Sequence, residues 1–279
     1  MKNTLLLAVL LMSFALQAQH PKRFERSKDF GIVFGTSYYL GDINPTKHFG
    51  GDRFYGGGLT FRNNFDKRWT LKSGISFHKI GAHDEDSDDP WQVNRNLHFV
   101  NELIEGTMQM ELNFWDYQIG NKNDRFSPYL FAGIAYYNMK PQAEFQGTLF
   151  ELQPLGTEGQ GTLGGGKPYR LNGFALPFGA GAKFNIWSII AISVEWGMRK
   201  TYTDFLDDVS GSYANPVALE EENGRLSMLL GDRRIVPGGG LQASGTGLHR
   251  GDPTVKDWYN FTTVTLSFRV DRKPSLCWK

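Results

Sequence analysis

The stretch 189–202, IIAISVEWGMRKTY, alternates with a period of two. Ile190, Ile192, Val194, Trp196 and Met198 fall on one face of an extended chain. Ala191, Ser193, Glu195, Gly197, Arg199 and Thr201 fall on the other. Successive side chains of a strand point to opposite faces, so this pattern marks a strand whose two faces meet different surroundings. Large apolar groups on one side, with small and charged ones opposite, are what the wall of a transmembrane β-barrel needs between lipid and lumen.

The pattern recurs, and it predicts strands at 29–40, 54–62, 69–78, 99–114, 128–138, 173–185, 189–202 and 257–270. In the first, Phe30, Ile32, Phe34, Thr36, Tyr38 and Leu40 are expected toward lipid, and Gly31, Val33, Gly35, Ser37 and Tyr39 toward the lumen. Tyr55, Leu59 and Phe61, then Trp69, Leu71, Ile75 and Phe77, mark the outer face of a hairpin turning at Asn63, Asn64, Asp66 and Lys67. In 99–114, Ile104, Met108, Met110, Leu112 and Phe114 face lipid, against Glu105, Thr107, Gln109, Glu111 and Asn113. A charge on the lipid side would cost about 2–4 kcal/mol at mid-bilayer, and that side has none. Phe174, Leu176, Phe178, Ala180 and Phe184 point outward in 173–185, as do Thr262, Val264, Leu266 and Phe268 in 257–270. The segment 128–138, PYLFAGIAYYN, is apolar on both faces and does not declare its register.

Long connections (41–53, 79–98, 139–172 and 203–256) alternate with short ones (63–68, 115–127 and 186–188). The expected fold is therefore all-β: an eight-stranded antiparallel transmembrane barrel of the outer-membrane type. Its long loops are extracellular, and its short turns and both termini periplasmic. Closure leaves no unpaired strand edge in lipid. The interior of an eight-stranded barrel is only wide enough for side chains to fill, which makes it a poor pore.

The opening MKNTLLLAVLLMSFALQAQ reads as a secretory signal peptide cleaved after Ala18, followed by a lead-in at 19–28, the barrel at 29–270 and a periplasmic tail at 271–279. Export and the amphipathic strands together place the protein in the outer membrane, with its lipid as one partner. A net charge of +1 gives no reason to expect nucleic acid. Aromatics at 14% and the 33 glycines suit interfacial girdles and close-packed strands. The single cysteine, Cys277, excludes an internal disulfide and is either an unpaired thiol or a disulfide link to another protein.

Candidate chemistry is sparse. Lys72, Glu105, Glu111, Lys183, Glu195 and Arg199 face the lumen, with Arg62 and Arg269 nearer the periplasmic rim. In a narrow barrel such charges must pair, and a salt-bridged plug is favoured over an ion path. Asp84, Glu85, Asp86, Asp88 and Asp89 lack the spacing of an EF-hand and read as a solvated loop, with no metal site expected. Asp204, Asp207 and Asp208 anchor the base of the last loop. Of the histidines His20, His48, His78, His83, His98 and His249, only His78 is assigned to a strand, at its external end. None forms a nucleophile–base pattern by spacing, so no enzyme and no cofactor are expected. The glycine runs 164–166 and 238–240 lack the strand–loop–helix setting of a phosphate site.

Five segments carry a resemblance: GTSYYLGDINP (35–45), PYLFAGIAYYNMKPQA (128–143), LQPLGTEGQG (152–161), EWGMRKTYTDFLDDVSG (195–211) and DWYNF (257–261). Together they resemble the PorG-like family, small outer-membrane barrels of the type IX secretion system of Bacteroidota. Thr157, Glu158, Gly159 and Gln160, with Asp204, Asp207 and Asp208, belong to the most specific of these strings. The resemblance implies a non-enzymatic accessory or anchoring role in protein secretion. It also implies contact with a periplasmic ring lipoprotein and that lipoprotein's partner. The turns 63–67, 115–127 and 186–188, with Cys277, are the expected contact side. The alternative is an outer-membrane binding or small-solute transport protein that works through its external loops.

Overall fold

Alternation along single strands becomes a closed wall in the computed structural model, which describes residues 26–49, 53–235 and 246–271. Among these residues the strands are β1 (Ser27–Leu40), β2 (Phe54–Asn64), β3 (Trp69–His83), β4 (His98–Asn113), β5 (Phe126–Phe145), β6 (Thr148–Glu151), β7 (Asn172–Asn185), β8 (Ile190–Thr201) and β9 (Trp258–Arg269). Neighbours pair antiparallel in the order β4-β3-β2-β1-β9-β8-β7-β5, and a β4–β5 ladder closes the ring. The short β6 stands outside the ring as a hairpin partner of β5. The barrel is thus eight-stranded, as expected. The proposed signal peptide, most of the lead-in, the second glycine run and Cys277 lie outside the described residues.

Outward positions from Phe30 to Thr36, Tyr55 to Phe61, Trp69 to Phe77, Ile104 to Leu112, Phe126 to Tyr136, Phe174 to Phe184, Ile190 to Met198 and Thr262 to Phe268 carry no charge. Large side chains such as Phe34, Ile75, Ile134 and Phe174 are more than half exposed there, which suits an acyl-chain solvent and not water. The register of β5 is also settled: Tyr129, Phe131, Tyr137 and Met139 are buried inside, while Leu130, Ile134 and Tyr136 face out.

Two strands outrun their predicted ends. β3 continues to His83 and β5 to Phe145, so parts of both expected loops are sheet, and His78 lies within the strand instead of at its end. The reason is a change of solvent. Above the apolar belt the outward residues become Lys79, Glu102 and Lys140, adjacent across the ladders. Lys79 pairs with Glu102 and Lys140 with Glu151, each at 2.8 Å. The wall rises out of lipid into water, and its outer face turns polar, which in sequence resembles a loop. His83 and His98, both read as loop residues, close the β3–β4 ladder and stack with centroids 5.2 Å apart.

Tyr38 and Met198 face outward as expected yet are buried. The β1–β2 loop folds down over them: Phe49 packs 5.4 Å from the Tyr38 ring, and the Tyr38 hydroxyl lies 3.9 Å from Met198 Sδ. The main apolar core does not sit at mid-membrane. It gathers Tyr39, Ile80, Phe99, Leu103, Tyr137, Met139, Leu206, Val209, Leu230 and Tyr259 at the external end, where the barrel top meets the loops.

Candidate functional site in the lumen and its cap

Glu195 of β8 and Glu111 of β4 converge with three cations in the middle of the lumen. Arg62 Nε lies 3.1 Å from Glu111 Oε1 and its Nη2 lies 2.9 Å from Glu195 Oε1. Lys72 sits 2.6 Å from Glu195 Oε2, and Lys183 sits 2.6 Å from Glu111 Oε2. Tyr129 donates its hydroxyl to Glu195 at 2.6 Å, and Arg62 donates to Ser267 at 2.9 Å and to Ser193 at 3.2 Å. One layer up, Arg199 reaches Glu105 at 3.4 Å, and Tyr259 donates to the same carboxylate. All six lumen residues expected from sequence therefore enter networks, in two groups and not one. Arg62, expected nearer the rim, is the hub, because its β2–β3 register sets it opposite Lys72. Arg269 does lie at the periplasmic mouth, where it donates to the Ile119 carbonyl at 2.9 Å.

With buried Asp29 included, four cations (Arg62, Lys72, Lys183, Arg199) meet four carboxylates (Asp29, Glu105, Glu111, Glu195) among the described residues of the barrel interior. Charge balance inside a dry cylinder is required, since an unpaired charge there carries its full desolvation cost. The cavity between the two networks holds only about 30 Å³, room for roughly one water molecule.

The periplasmic mouth is closed by a device the sequence pattern did not reveal. The connection 114–125 folds back under the barrel and inserts Tyr117 and Ile119 against Ala191 as a small buried cluster. Lys183 Nζ stands 5.6 Å over the Tyr117 ring. Three strand ends tie the connection down: Lys67 to Asp116 at 2.9 Å and Asp124 at 3.2 Å, Asn185 to the Gln118 and Asp124 carbonyls, and Arg269 as above. Gly120 makes the fold-back possible. At φ +86° it adopts the left-handed region, and a Cβ there would meet the Ser188 carbonyl at 2.3 Å. The only sequence signal was a turn longer than its two short counterparts.

The external mouth is covered by a cap in which the two conspicuous loop motifs bind each other. Glu158 Oε1 accepts from the Ser210 amide at 2.9 Å and from Arg250 Nη1 at 2.9 Å, and the Gly211 amide donates to the same carboxylate. Thr157 donates its hydroxyl to Asp208, and Tyr169 donates to the other oxygen of Asp208 at 2.7 Å. Asp208 itself holds a left-handed φ of 63°, a conformation that an aspartate tolerates when surrounding contacts enforce it. Gln160 accepts from the Glu158 amide at 3.0 Å, and Gly159 turns the loop at φ +90°. Asp207 and Asp257 both face the Tyr39 hydroxyl, at 2.6 and 2.7 Å. Asp204 is buried beside them.

The acidic loop 84–89 is not solvated throughout as expected, because Asp84 turns inward and is fully buried. Asp84 is buried on Arg95 at 2.6 Å, Asp88 pairs with Lys47 at 2.9 Å, and Asp89 caps α1 (Pro90–Arg95) through the Trp91 amide at 2.9 Å. Sequence reasoning missed Arg95, at the end of α1, and Arg250, in the β8–β9 connection, both buried cations. Arg95 Nη1 donates to the Arg250 carbonyl at 2.7 Å and Nη2 to the Asp42 carbonyl at 2.9 Å, joining three connections. In the cap, burial drives carboxyl groups upward. Asp42 rises to about 6, Asp208 to about 6 and Asp204 to about 7.

Residues 2–151 match the model of a family described as a domain of unknown function, DUF6089. The chain belongs to the DUF6089 family. The matched span covers β1 to β6 and thus Lys72, Glu105 and Glu111, whereas the TEGQ and DFLDDVSG motifs of this DUF6089 chain lie beyond it. No curated protein matches the sequence. Among solved structures, the attachment invasion locus protein Ail of Yersinia pestis is similar at TM-score 0.42 and 11% identity, covering 88% of this chain and 99% of that one. Neisserial surface protein A gives 0.41 at 7% identity, covering 88% and 99%. OprG of Pseudomonas aeruginosa gives 0.36 at 11%, covering 89% and 99%.

Proposed function

We propose that this DUF6089 barrel is a non-conducting, non-enzymatic outer-membrane scaffold that serves as an accessory or anchoring component of type IX protein secretion. The observation that carries the non-conducting part is the filled lumen: a charge-balanced plug with a residual cavity of about 30 Å³, closed below by Tyr117 and Ile119 and above by the cap. A cylinder stoppered at three levels offers surfaces and no path, so its output is contact with other proteins. The link to secretion comes from the motif resemblance described above. The periplasmic face supports a docking role, because the connections around Lys67, Asp116, Asp124 and Asn185 are cross-tied into one rigid plate. A preorganised surface loses little conformational freedom on binding.

Two measurements test this reading. Purified protein in planar bilayers stays electrically silent; steady unitary conductance would overturn the scaffold. Affinity purification of the tagged protein from outer membranes recovers periplasmic ring lipoproteins, and their consistent absence would remove the secretion assignment. Repeating the capture with Cys277→Ser on non-reducing gels tells whether a disulfide holds the partner.

A further inference from the structure

We propose that Asp207, Tyr39 and Asp257 form a proton-holding latch that fastens the connection between β8 and β9 onto the barrel, and that raising the pH releases it. Tyr39, from β1, is fully buried, and its hydroxyl oxygen lies 2.6 Å from Asp207 Oδ2 and 2.7 Å from Asp257 Oδ1. A hydroxyl carries one proton and donates one such hydrogen bond. With both acids ionised, one carboxylate oxygen would face the phenol oxygen without a hydrogen between them. The second short contact therefore needs a proton on one carboxyl, which donates into a Tyr39 lone pair while Tyr39 donates to the other acid. The location of that proton follows. The far oxygens are already acceptors, Asp207 Oδ1 from the Val209 amide at 2.9 Å and Asp257 Oδ2 from the Leu206 amide at 2.8 Å.

No cation substitutes for the proton. Among the described residues, neither carboxylate makes a salt bridge. Arg95 of α1 faces this site but is engaged with Asp84 at 2.6 Å, and Arg250 is engaged with Glu158 at 2.9 Å. Lys256 donates to the Pro253 carbonyl at 2.6 Å. The other titratable groups turned toward the site are acids and phenols: Asp42 from the β1–β2 loop, Asp204 and Asp208 from the same connection as Asp207, Glu158 and Tyr169 from the stretch before β7, and Tyr137 from β5. Burial holds both latch carboxyls well above the usual range. For Asp207 the next cause is Asp257, and for Asp257 the neighbours Asp204 and Asp42 add to it. The latch also has a mechanical output. Asp257 grips the Leu206 amide, Leu206 is buried in the apolar core, and its carbonyl accepts from Asn101 at 2.6 Å. Loss of the proton sets two buried anions on one hydroxyl and lifts the segment 204–209 as a unit.

The test is amide hydrogen exchange on the full chain refolded in lipid vesicles, from about pH 5 to about pH 9, corrected for intrinsic exchange rates. Protection of 203–210 is expected to fall at least ~tenfold as pH rises, while that of 104–112 holds constant. In Asp207→Asn the carboxamide N–H donates to Tyr39 permanently and its oxygen keeps the Val209 amide, so protection is higher and falls less steeply with pH, the remaining fall coming from Asp42, Asp204 and Asp208. Asp257→Asn satisfies the Leu206 amide in the same way and gives an independent copy of the experiment. A flat wild-type profile overturns the latch, and so does a fall in either folded variant as steep as that of the wild type.

Discussion

The lumen and the cap are both buried, polar and rich in charge, yet they solve the burial problem in opposite ways. In the barrel interior, Arg62, Lys72 and Lys183 pair with Glu111 and Glu195 and Arg199 pairs with Glu105, while Asp29 takes the Asn64 amide at 2.7 Å. In the cap, the buried acids Asp84, Asp204, Asp207, Asp208 and Asp257 outnumber the buried cations Arg95 and Arg250. A balanced cluster is neutral with all its groups ionised. An acid-rich one reaches neutrality only by taking up protons. The lumen is therefore plugged by ion pairs, and the cap is a lid whose hold depends on pH.

The largest effect should come from unbalancing the plug. Glu111→Gln removes the carboxylate that meets Arg62 at 3.1 Å and Lys183 at 2.6 Å, with Lys72 at 3.6 Å. Leaving these cations short of a partner is expected to cost ~3–5 kcal/mol in urea unfolding from vesicles. A loss below ~1 kcal/mol would mean that the network is solvated, and the contrast with the cap would fail.

Arg250→Met should open the cap and spare the barrel. It removes the donor to Glu158, the Asp208 carbonyl and the Gly231 carbonyl. Local opening of the cap is expected to ease by about 3 kcal/mol, read as protease cutting within 203–257 while the strands stay protected. Global unfolding with this variant would show instead that cap and barrel are one cooperative unit.

The pH dependence sharpens the comparison. Asp42, Asp204 and Asp208 have folded values raised to about 6, 7 and 6 by burial. A raised acid binds its proton more tightly in the closed cap than in the open chain. The closed form is thus fully favoured near the ordinary carboxylate range, about pH 4, and loses ground as pH rises through about 7. Proteolysis of the loops should accelerate across that window. An equal or opposite trend would sink the assignment of these acids.

Smaller effects probe single contacts. Tyr129→Phe removes one hydroxyl from Glu195, and about 1 kcal/mol of stability is expected to go with it. Lys47→Ala breaks a pair with the exposed Asp88 carboxylate, and less than about 1 kcal/mol is expected in the same unfolding measurement.

Where the sequence could be read, and where it could not, follows the solvent boundary. Within lipid, each outward position of β8 must be apolar and each inward one small or polar, so Ile190 to Thr201 announced the wall. Above the lipid that rule lapses, and Lys79 to His83 and Met139 to Phe145 read as loop while continuing the sheet. The lumen residues were legible as a set because charges cannot face acyl chains. Their partners were not, since the hub role of Arg62 depends on β2–β3 register and on strands far apart in the chain. Tyr117 and Ile119 had no periodic signal, because a turn that folds back into a cavity is specified by the cavity. The TEGQ and DFLDDVSG strings stood out in sequence, but nothing there indicated that Glu158 holds the Ser210 amide.

By itself the sequence determined the barrel, its eight strands, the side of every strand but β5 that meets lipid, and the ends that carry long loops. Those features follow from a solvent that forbids charge and leaves no backbone group unpaired. Only the tertiary structure decided that the lumen is neutral, that a turn stoppers its base, and that two acids share one phenol in the cap. Pairing and proton sharing depend on distances between residues more than a hundred positions apart, such as Tyr39 and Asp207 at 2.6 Å, and the order of residues along a chain does not encode a distance until the chain has closed.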